Sequence, residues 1–340
     1  MKTIEFDGNH YELGLRIGQL SKDIFDRHIK PSKGFEELTR WKSSDWFNEV
    51  TKLVELKCPG IFAELQGIAD GASQPFEDIL LWNCRGDLVN CIPEGCTSIG
   101  VTQSELTLVA HNEDGDPELK EHVFLLKARM AESTDFTSFV YPASIPGHSF
   151  AMNEHGLAFT VNNIRLTDKQ VGLPRMVMSR SLLESKDFKA FISALESSTR
   201  SGAFHYTVAD LTYKKALSIE APFQKVSSIE ACPVVVHANH LVHHDLDFVP
   251  QIITESSASR QIRMEELGYA YKEAFDSQVC LKILRDKHHD VLPIFRQAAD
   301  DPDEENTLAT AIFTFEEQGL IMNVFEPQSE EAVYTEVVKN

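Results

Sequence analysis

The residue pattern changes character once, at Gly95–Cys96, and no other feature constrains the fold as strongly. Before that point apolar residues recur at helical spacing. Leu13, Ile17, Leu20 and Ile24 share one face, as do Trp46, Val50, Leu53 and Val54. Phe62, Leu65 and Ile68 continue the pattern up to Gly71, a helix-terminating glycine. Pro75 suits a first helical turn, with Glu77 and Asp78 near its positive end. The first 92 residues therefore read as helical. After Gly95 the period becomes two. "CTSIGVTQ" and "LTLVAHN" read as strands around the turn-like "QSE", and "HVFLLKARM" and "TSFVYPA" as further strands. "SFAMNEHGLAFTVNN" reads as a hairpin turning at Asn153 to Gly156. Helices are expected from Pro174 to Glu184, Phe188 to Ser197 and Ser257 to Leu267, with a buried strand in "ACPVVVHANH" and a closing hairpin in "LATAIFTFEEQGLIMNVFEP". Strand hairpins interleaved with helix pairs, without linker or repeat, predict sheets covered by helices.

Composition narrows the functional classes. A formal net charge of -20 opposes binding to nucleic-acid backbones or anionic lipid, so neither is expected as a partner. Glu5, Asp7 and Glu12 interrupt the opening segment where a signal peptide needs an apolar core, and no apolar run approaches a membrane span. Six cysteines without a C-x-x-C pair or regular spacing argue against a disulfide framework or zinc ribbon. The expectation is a soluble, cytoplasmic, reduced protein. "HLVHHD" and "KHHD" group His240, His243, His244, His288 and His289 near aspartates. Neither group has the arrangement of a zinc site, so these histidines are expected to be surface or structural and no metal is expected.

A cysteine that opens a buried strand has a particular chemistry available. Were the chain cut between Gly95 and Cys96, the new α-amino group, with an ordinary pKa of about 7.7 to 8.0, would be partly neutral near pH 7 and within reach of its own thiol. Nucleophile and general base would then come from one residue. Gly95, lacking a Cβ, would let the scissile peptide take a strained geometry open to thiol attack. The cut would proceed as an N-to-S acyl shift by Cys96, followed by hydrolysis of the thioester. The competing reading is a buried, inert thiol, which is what most free cysteines are.

Several motifs stand in a fixed order around this cysteine. "EGCTS" is followed sixteen residues after Cys96 by "NED", similar to an Asn-aromatic-Asp hairpin. "PGHSFAMNEHGLAFTVNN" resembles a Gly-x-Asn-x-x-Gly hairpin, "HANH" a His-Thr-Asn-His strand end, and "SSASRQIRME" a Ser-x-x-Arg-x-x-Arg-Met helix start. With "YELGLRIG", "ELQGIADGA" and "NCRGD" upstream, the chain resembles the acyl-coenzyme A:isopenicillin N (6-aminopenicillanic acid) acyltransferase family of N-terminal nucleophile (Ntn) hydrolases over nearly its whole length. The resemblance implies an α+β fold, a four-layer αββα sandwich with a helical N-terminal segment, built by residues 1–340 as one domain. It implies a precursor cut into residues 1–95 and 96–340, which remain together as a heterodimer. Catalysis would transfer the acyl group of a small-molecule amide, through a thioester on Cys96, to water or another acceptor.

The same resemblance distributes roles. Asn239 stands where the family's oxyanion-hole asparagine belongs, a contribution of about 3 to 4 kcal/mol in comparable sites. Asp114, expected opposite Cys96, would hold the new ammonium or assist the cut. Asn112 is a second candidate for orienting that amine. Arg85 and Asp87 read first as ion-pair residues bracing the junction, Thr97 and Ser98 as hydroxyls that could assist processing, and Asn162 and Arg260 as residues lining or supporting the pocket.

The chain also departs from the pattern of the penicillin-forming enzyme. Glu113 and Gly115 stand where aromatic residues are expected, and Glu304 and Glu305 where a basic residue is expected. An acidic rim of this kind suits an amide that releases a cationic amine, as in β-alanyl-amine hydrolases, better than a carboxylated β-lactam. Hydrolysis is the first expectation. A coenzyme A-dependent N-acyltransferase is the alternative, with coenzyme A solely as acyl donor and no phosphate cradle visible for it. A catalytically silent family member would keep an intact chain. A papain-like protease would need its cysteine at a helix start, not on a strand.

Overall fold

The computed structural model describes residues 1–299 and 304–339. Its chain begins with a strand, β1 (Lys2–Gly8), and then runs through six helices: α1 (His10–Ile24), α2 (Lys33–Thr39), α3 (Asp45–Lys57), α4 (Pro59–Ala72), α5 (Phe76–Asn83) and α6 (Arg85–Leu88). The helical reading of the first 92 residues is thus corrected at its start. Ile4 is buried between exposed Thr3 and Glu5, a short alternation that a charged edge strand shares with a loop. The strand exists because β4 (Phe124–Met130) offers it a partner in parallel, Lys2 pairing with Phe124 and Gly8 with Met130. Asn9 starts α1 with a capping box, its side chain accepting from the Glu12 amide at 3.0 Å while the Glu12 carboxylate accepts the Asn9 N–H.

Helices α1 and α4 cross closely because each carries two glycines four residues apart. A Cβ on Gly14 or Gly18 would lie 1.9 or 2.2 Å from a carbonyl of α4, and one on Gly67 or Gly71 would lie 2.1 or 2.2 Å from a carbonyl of α1. "YELGLRIG" and "ELQGIADGA" are the two halves of this seam.

The strands after the helices form two sheets. β2 (Glu94–Gln103), β3 (Leu106–Gly115), β11 (Val234–His237), β13 (Asn306–Glu316), β14 (Gly319–Phe325) and β15 (Tyr334–Lys339) make a six-stranded sheet in the order β11-β2-β3-β13-β14-β15. The other sheet runs β1-β4-β5-β6-β7-β8-β9-β10, with β12 (Gln251–Ile252) on β7. Its remaining strands are β5 (Phe136–Val140), β6 (Phe150–Asn153), β7 (Leu157–Leu166), β8 (Ala203–Asp210), β9 (Leu217–Glu220) and β10 (Ser227–Glu230). The β6–β7 turn falls where expected: Asn153 Oδ1 accepts from the amides of His155 and Leu157, and Gly156 takes φ 74.

The sheets stack face to face, with helices on both outer faces. On the six-stranded side, α9 (Glu255–Tyr271) and α10 (Ser277–Leu284) bury Met264, Cys280 and Leu284 against Ile99, Val101, Leu108 and Ile312. On the other side lie α1 to α6, α7 (Arg175–Leu182) and α8 (Phe188–Glu196), where Phe191 meets Phe159 and Tyr206 at ring distances of 5.2 Å. The result is the four-layer αββα sandwich. Between the sheets the packing is aromatic around Phe139, Phe150 and Phe313 and polar around Ser98, Thr160 and Asn162.

One buried ion pair ties the N-terminal helices to the rest. Arg180 of α7 contacts Glu64 of α4 at 3.1 Å with neither side chain exposed, and His10 Nδ1 meets the same carboxylate at 3.1 Å. Removing one partner leaves the other charged and unpaired in the interior. Glu64→Ala is expected to cost about 3–5 kcal/mol of stability by denaturant unfolding, whereas a change below about 0.5 kcal/mol would show that the pair is solvated.

Candidate active site

The two-residue loop Ser104–Glu105 joins β2 to β3 and sets their register. Cys96 is paired with Glu113, and Gly95 with Asp114. Directly opposed residues point to the same face, so Cys96, Ser98, His111 and Glu113 face the nine-stranded sheet. Gly95, Thr97, Asn112 and Asp114 face α9 and α10. The expected pairing of Asp114 with Cys96 is therefore one residue out of step. Asp114 Oδ1 accepts from Thr307 at 2.6 Å. Asn112 donates to the Leu284 carbonyl and accepts from Thr310, both at 2.6 Å, and so is engaged at both ends with its outer-face neighbours. The strand itself begins at Glu94, which places the Gly95–Cys96 peptide inside β2 and not at its edge.

The backbone of Cys96 is held from both sides. Its N–H donates to Asn239 Oδ1 at 2.9 Å, and its carbonyl accepts from Arg260 Nη1 at 2.5 Å. Arg260 also donates to Asn239 Oδ1 at 2.7 Å and to Thr97 Oγ1 at 3.0 Å. Two donors on one amide oxygen fix the orientation of Asn239, and its NH₂ donates to the Asn163 carbonyl at 3.0 Å. Asn239 thus presents an acceptor to the Cys96 nitrogen. The oxyanion role expected of its NH₂ requires that group to leave Asn163.

The thiol lies in a buried polar nest. Glu113 Oε2 is 3.7 Å from Cys96 Sγ. The same carboxylate accepts from Tyr141 at 2.8 Å and Ser149 at 2.6 Å, and meets His111 Nε2 at 3.0 Å. Burial pushes the Cys96 thiol well above its usual pKa, and Glu113 and Asp114 push it further, against a backbone hydrogen bond from Asn163. In the unbroken chain the sulfur is therefore a protonated thiol. Among the described residues, Cys96, His111 and Glu113 bring a sulfur, a ring nitrogen and a carboxylate oxygen within 4.8 Å of one another.

The segment before the cysteine is clamped as well. Glu94 is bound by Arg85 and, at 2.9 Å, by Arg175. Burial raises its pKa, but the two arginines outweigh that effect and the net shift is downward. Asp87 accepts from the Arg175 amide at 3.2 Å and from Ser201 at 3.0 Å, and burial raises it to about 6 in spite of Arg175. Gly95 has no left-handed φ, so strain is not why glycine stands there. A Cβ would lie 2.0 Å from Glu305 Oε2, and the requirement is close approach.

The acidic rim expected from Glu113, Glu304 and Glu305 is also corrected. Glu113 is enclosed around the thiol. Glu305 is fully buried against Arg296 and Arg165, its pKa raised by burial to about 8. Glu304 alone of the three is exposed. With Asp116, Trp82, Ile92, Glu94 and Tyr141 it lines a cavity of about 310 Å³ beside the junction. Tyr141 forms the partition, lining the cavity while donating to the carboxylate that meets Cys96.

Asn162 is buried within a hydrogen-bond network. Its Oδ1 accepts from Ser98 at 2.6 Å and from His205 at 3.1 Å. Ser98 in turn meets His111 Nδ1 at 2.8 Å. Beyond His205 the contacts continue through Ser218 (2.9 Å), His243 (3.0 Å) and Ser227 (2.8 Å) to exposed Asp245 (2.6 Å). His205 stacks on His237 at 3.5 Å, and burial, then His237, push its pKa well below the usual value. His240 bonds to Ser257 at 2.7 Å, and His244, His288 and His289 are exposed.

Sequence reading missed His111, Tyr141, Ser149, Asn163 and Arg175. A two-residue loop at Ser104–Glu105 would have shown His111 and Glu113 on the face of Cys96. Nothing in the local pattern marks Tyr141 or Arg175.

The acyl-coenzyme A:6-aminopenicillanic acid acyl-transferase family profile matches residues 101–328. A beta-alanyl-dopamine/carcinine hydrolase of Drosophila melanogaster is 25% identical over 90% of this chain and 88% of its own. The 40 kDa form of the acyl-coenzyme A:6-aminopenicillanic-acid-acyltransferase of Emericella nidulans is 24% identical over 92% and 89%. A crystal structure of a conjugated bile acid hydrolase variant from Clostridium perfringens superposes with a TM-score of 0.42 at 12% identity, covering 72% of this chain and 97% of that one. The chain belongs to the acyl-coenzyme A:6-aminopenicillanic acid acyl-transferase family and is an enzyme of its amide-hydrolysing and acyl-transferring class.

Proposed function

We propose that the chain cuts itself between Gly95 and Cys96 and then uses Cys96 as an N-terminal nucleophile to hydrolyse a small-molecule amide. The observation that carries this reading is the acceptor placed on the Cys96 nitrogen: Asn239 Oδ1 at 2.9 Å, locked by Arg260. Once the bond is broken, that nitrogen is an amine beside its own thiol, and Asn239 holds it for proton exchange with the sulfur. The thiolate attacks the substrate carbonyl, the amine leaves with the proton, and water releases the acyl group from the thioester. Pairing of β1 with β4 and of Glu64 with Arg180 supports two fragments that stay associated.

The substrate reading is an amide of a small amine, of the β-alanyl-amine type. The Drosophila relative supports it. No cofactor or metal enters this scheme. Acyl transfer from a coenzyme A thioester is the second reading, supported by the Emericella relative.

Freshly made protein on a denaturing gel, with intact mass, should give fragments 1–95 and 96–340, and Cys96→Ala a single full-length band. A persistently intact wild type that still turns over substrate sinks the mechanism. Asn239→Ala should lower turnover of the processed enzyme by about 10²–10³-fold. Asn239→Asp, which keeps the acceptor and loses the NH₂, should retain far more, and equal losses would return Asn239 to the oxyanion role. Titrating acyl-coenzyme A and amine acceptors against amide substrate should leave hydrolysis dominant, and amide synthesis outpacing it would favour the transferase.

A further inference from the structure

Self-cleavage meets a difficulty that the processed enzyme does not have. Before the cut, the Cys96 nitrogen is a peptide N–H engaged with Asn239, so it cannot serve as a base. Cys96 is only 4% exposed, so bulk water is a poor substitute. Some resident group must take the sulfur's proton.

The hydrogen bonds around the sulfur single out one. Ser98 has one proton and gives it to Asn162 Oδ1, an atom that can only accept. The contact between Ser98 and His111 Nδ1 must then be donated by the imidazole. Neutral His111 has no second proton, yet its Nε2 sits 3.0 Å from Glu113 Oε2. That contact is bridged by a proton that belongs to one partner or the other. Glu113 is thus part of a proton-sharing pair, its second oxygen is fixed by Tyr141, and its shared oxygen is the one beside Cys96 Sγ. It also lies directly opposite the residue whose nitrogen must be protonated when the peptide breaks.

We propose that Glu113 is the acid–base residue of self-cleavage. Resting on the reading that the chain cuts itself at Gly95–Cys96, the step runs as follows. With the bridging proton on His111, the Glu113 carboxylate takes the thiol proton as sulfur forms a bond to the Gly95 carbonyl carbon. The same proton passes to the Cys96 nitrogen as the C–N bond breaks. This leaves a Gly95 thioester on sulfur and a free α-amine. Water then attacks the thioester, giving the Gly95 carboxylate and restoring the thiol. After the cut the amine takes over as base, and His111 acts throughout as a positioning residue for Glu113.

The test follows cutting of newly synthesised full-length chain over time. Glu113→Gln, which keeps size and loses the base, should cut at least about 100-fold more slowly than wild type. In Glu113→Ala, added formate should restore cutting in a dose-dependent way. Glu113→Asp, with the carboxylate drawn back by one methylene, provides the measurement if the glutamine variant does not fold, and should cut at least about tenfold more slowly. Wild-type rates in a folded Glu113→Gln or Glu113→Asp chain, or a folded Glu113→Ala chain that formate leaves uncut, overturn the assignment. An uncut wild type overturns the self-cleavage reading itself.

Discussion

The pairing register of β2 with β3 is the constraint on which the site depends. Side chains alternate across a strand, so a slip of one residue would turn Cys96 away from Glu113 and His111 and towards α9. A loop of two residues leaves no slack for such a slip. The neighbours of Cys96 are supplied from elsewhere and meet the strand at this register. Asn239 follows β11, Arg260 comes from α9, and Asn163 from β7. The four layers matter to the chemistry chiefly because they bring these three elements to one peptide group.

A second consequence is that charge around the sulfur is balanced unevenly. Arg260 binds backbone and amide oxygens and leaves the thiol to acidic company. Burial, Glu113 and Asp114 all oppose a thiolate. The arginines Arg85 and Arg175 are spent on Glu94, two residues upstream, where they hold the junction. Such an arrangement keeps a nucleophile quiet until something nearby changes.

Much of this was legible in the residues. The helical stripe of Leu13, Ile17 and Ile24 and the alternation after Gly95 mark their elements because each buries one face against a wide partner. β1 was not legible, since an edge strand carrying Glu5 and Asp7 becomes a strand only when β4 is beside it. Cys96, Asn239 and Arg260 could be picked out through motif order, and they do meet. Which end of the Asn239 amide faces the cysteine could not be read, because it depends on Arg260 and Asn163 arriving from distant positions. The turn-like "QSE" reads one residue longer than the Ser104–Glu105 loop, and that one residue decides whether Asn112 and Asp114 share the face of Cys96. Glu113, read as part of a rim, is interior because Tyr141 and Ser149 close over it.

The string of side chains from His111 to Asp245 resembles a path by which protons could travel between the site and solvent. Asn162 makes it a dead end. Its carbonyl oxygen receives a hydrogen from the Ser98 side and another from the His205 side, so both halves of the string point inward and neither can hand a proton across. The string fastens one sheet to the other without conducting, and any proton exchanged with the medium near Cys96 has to travel by a different route.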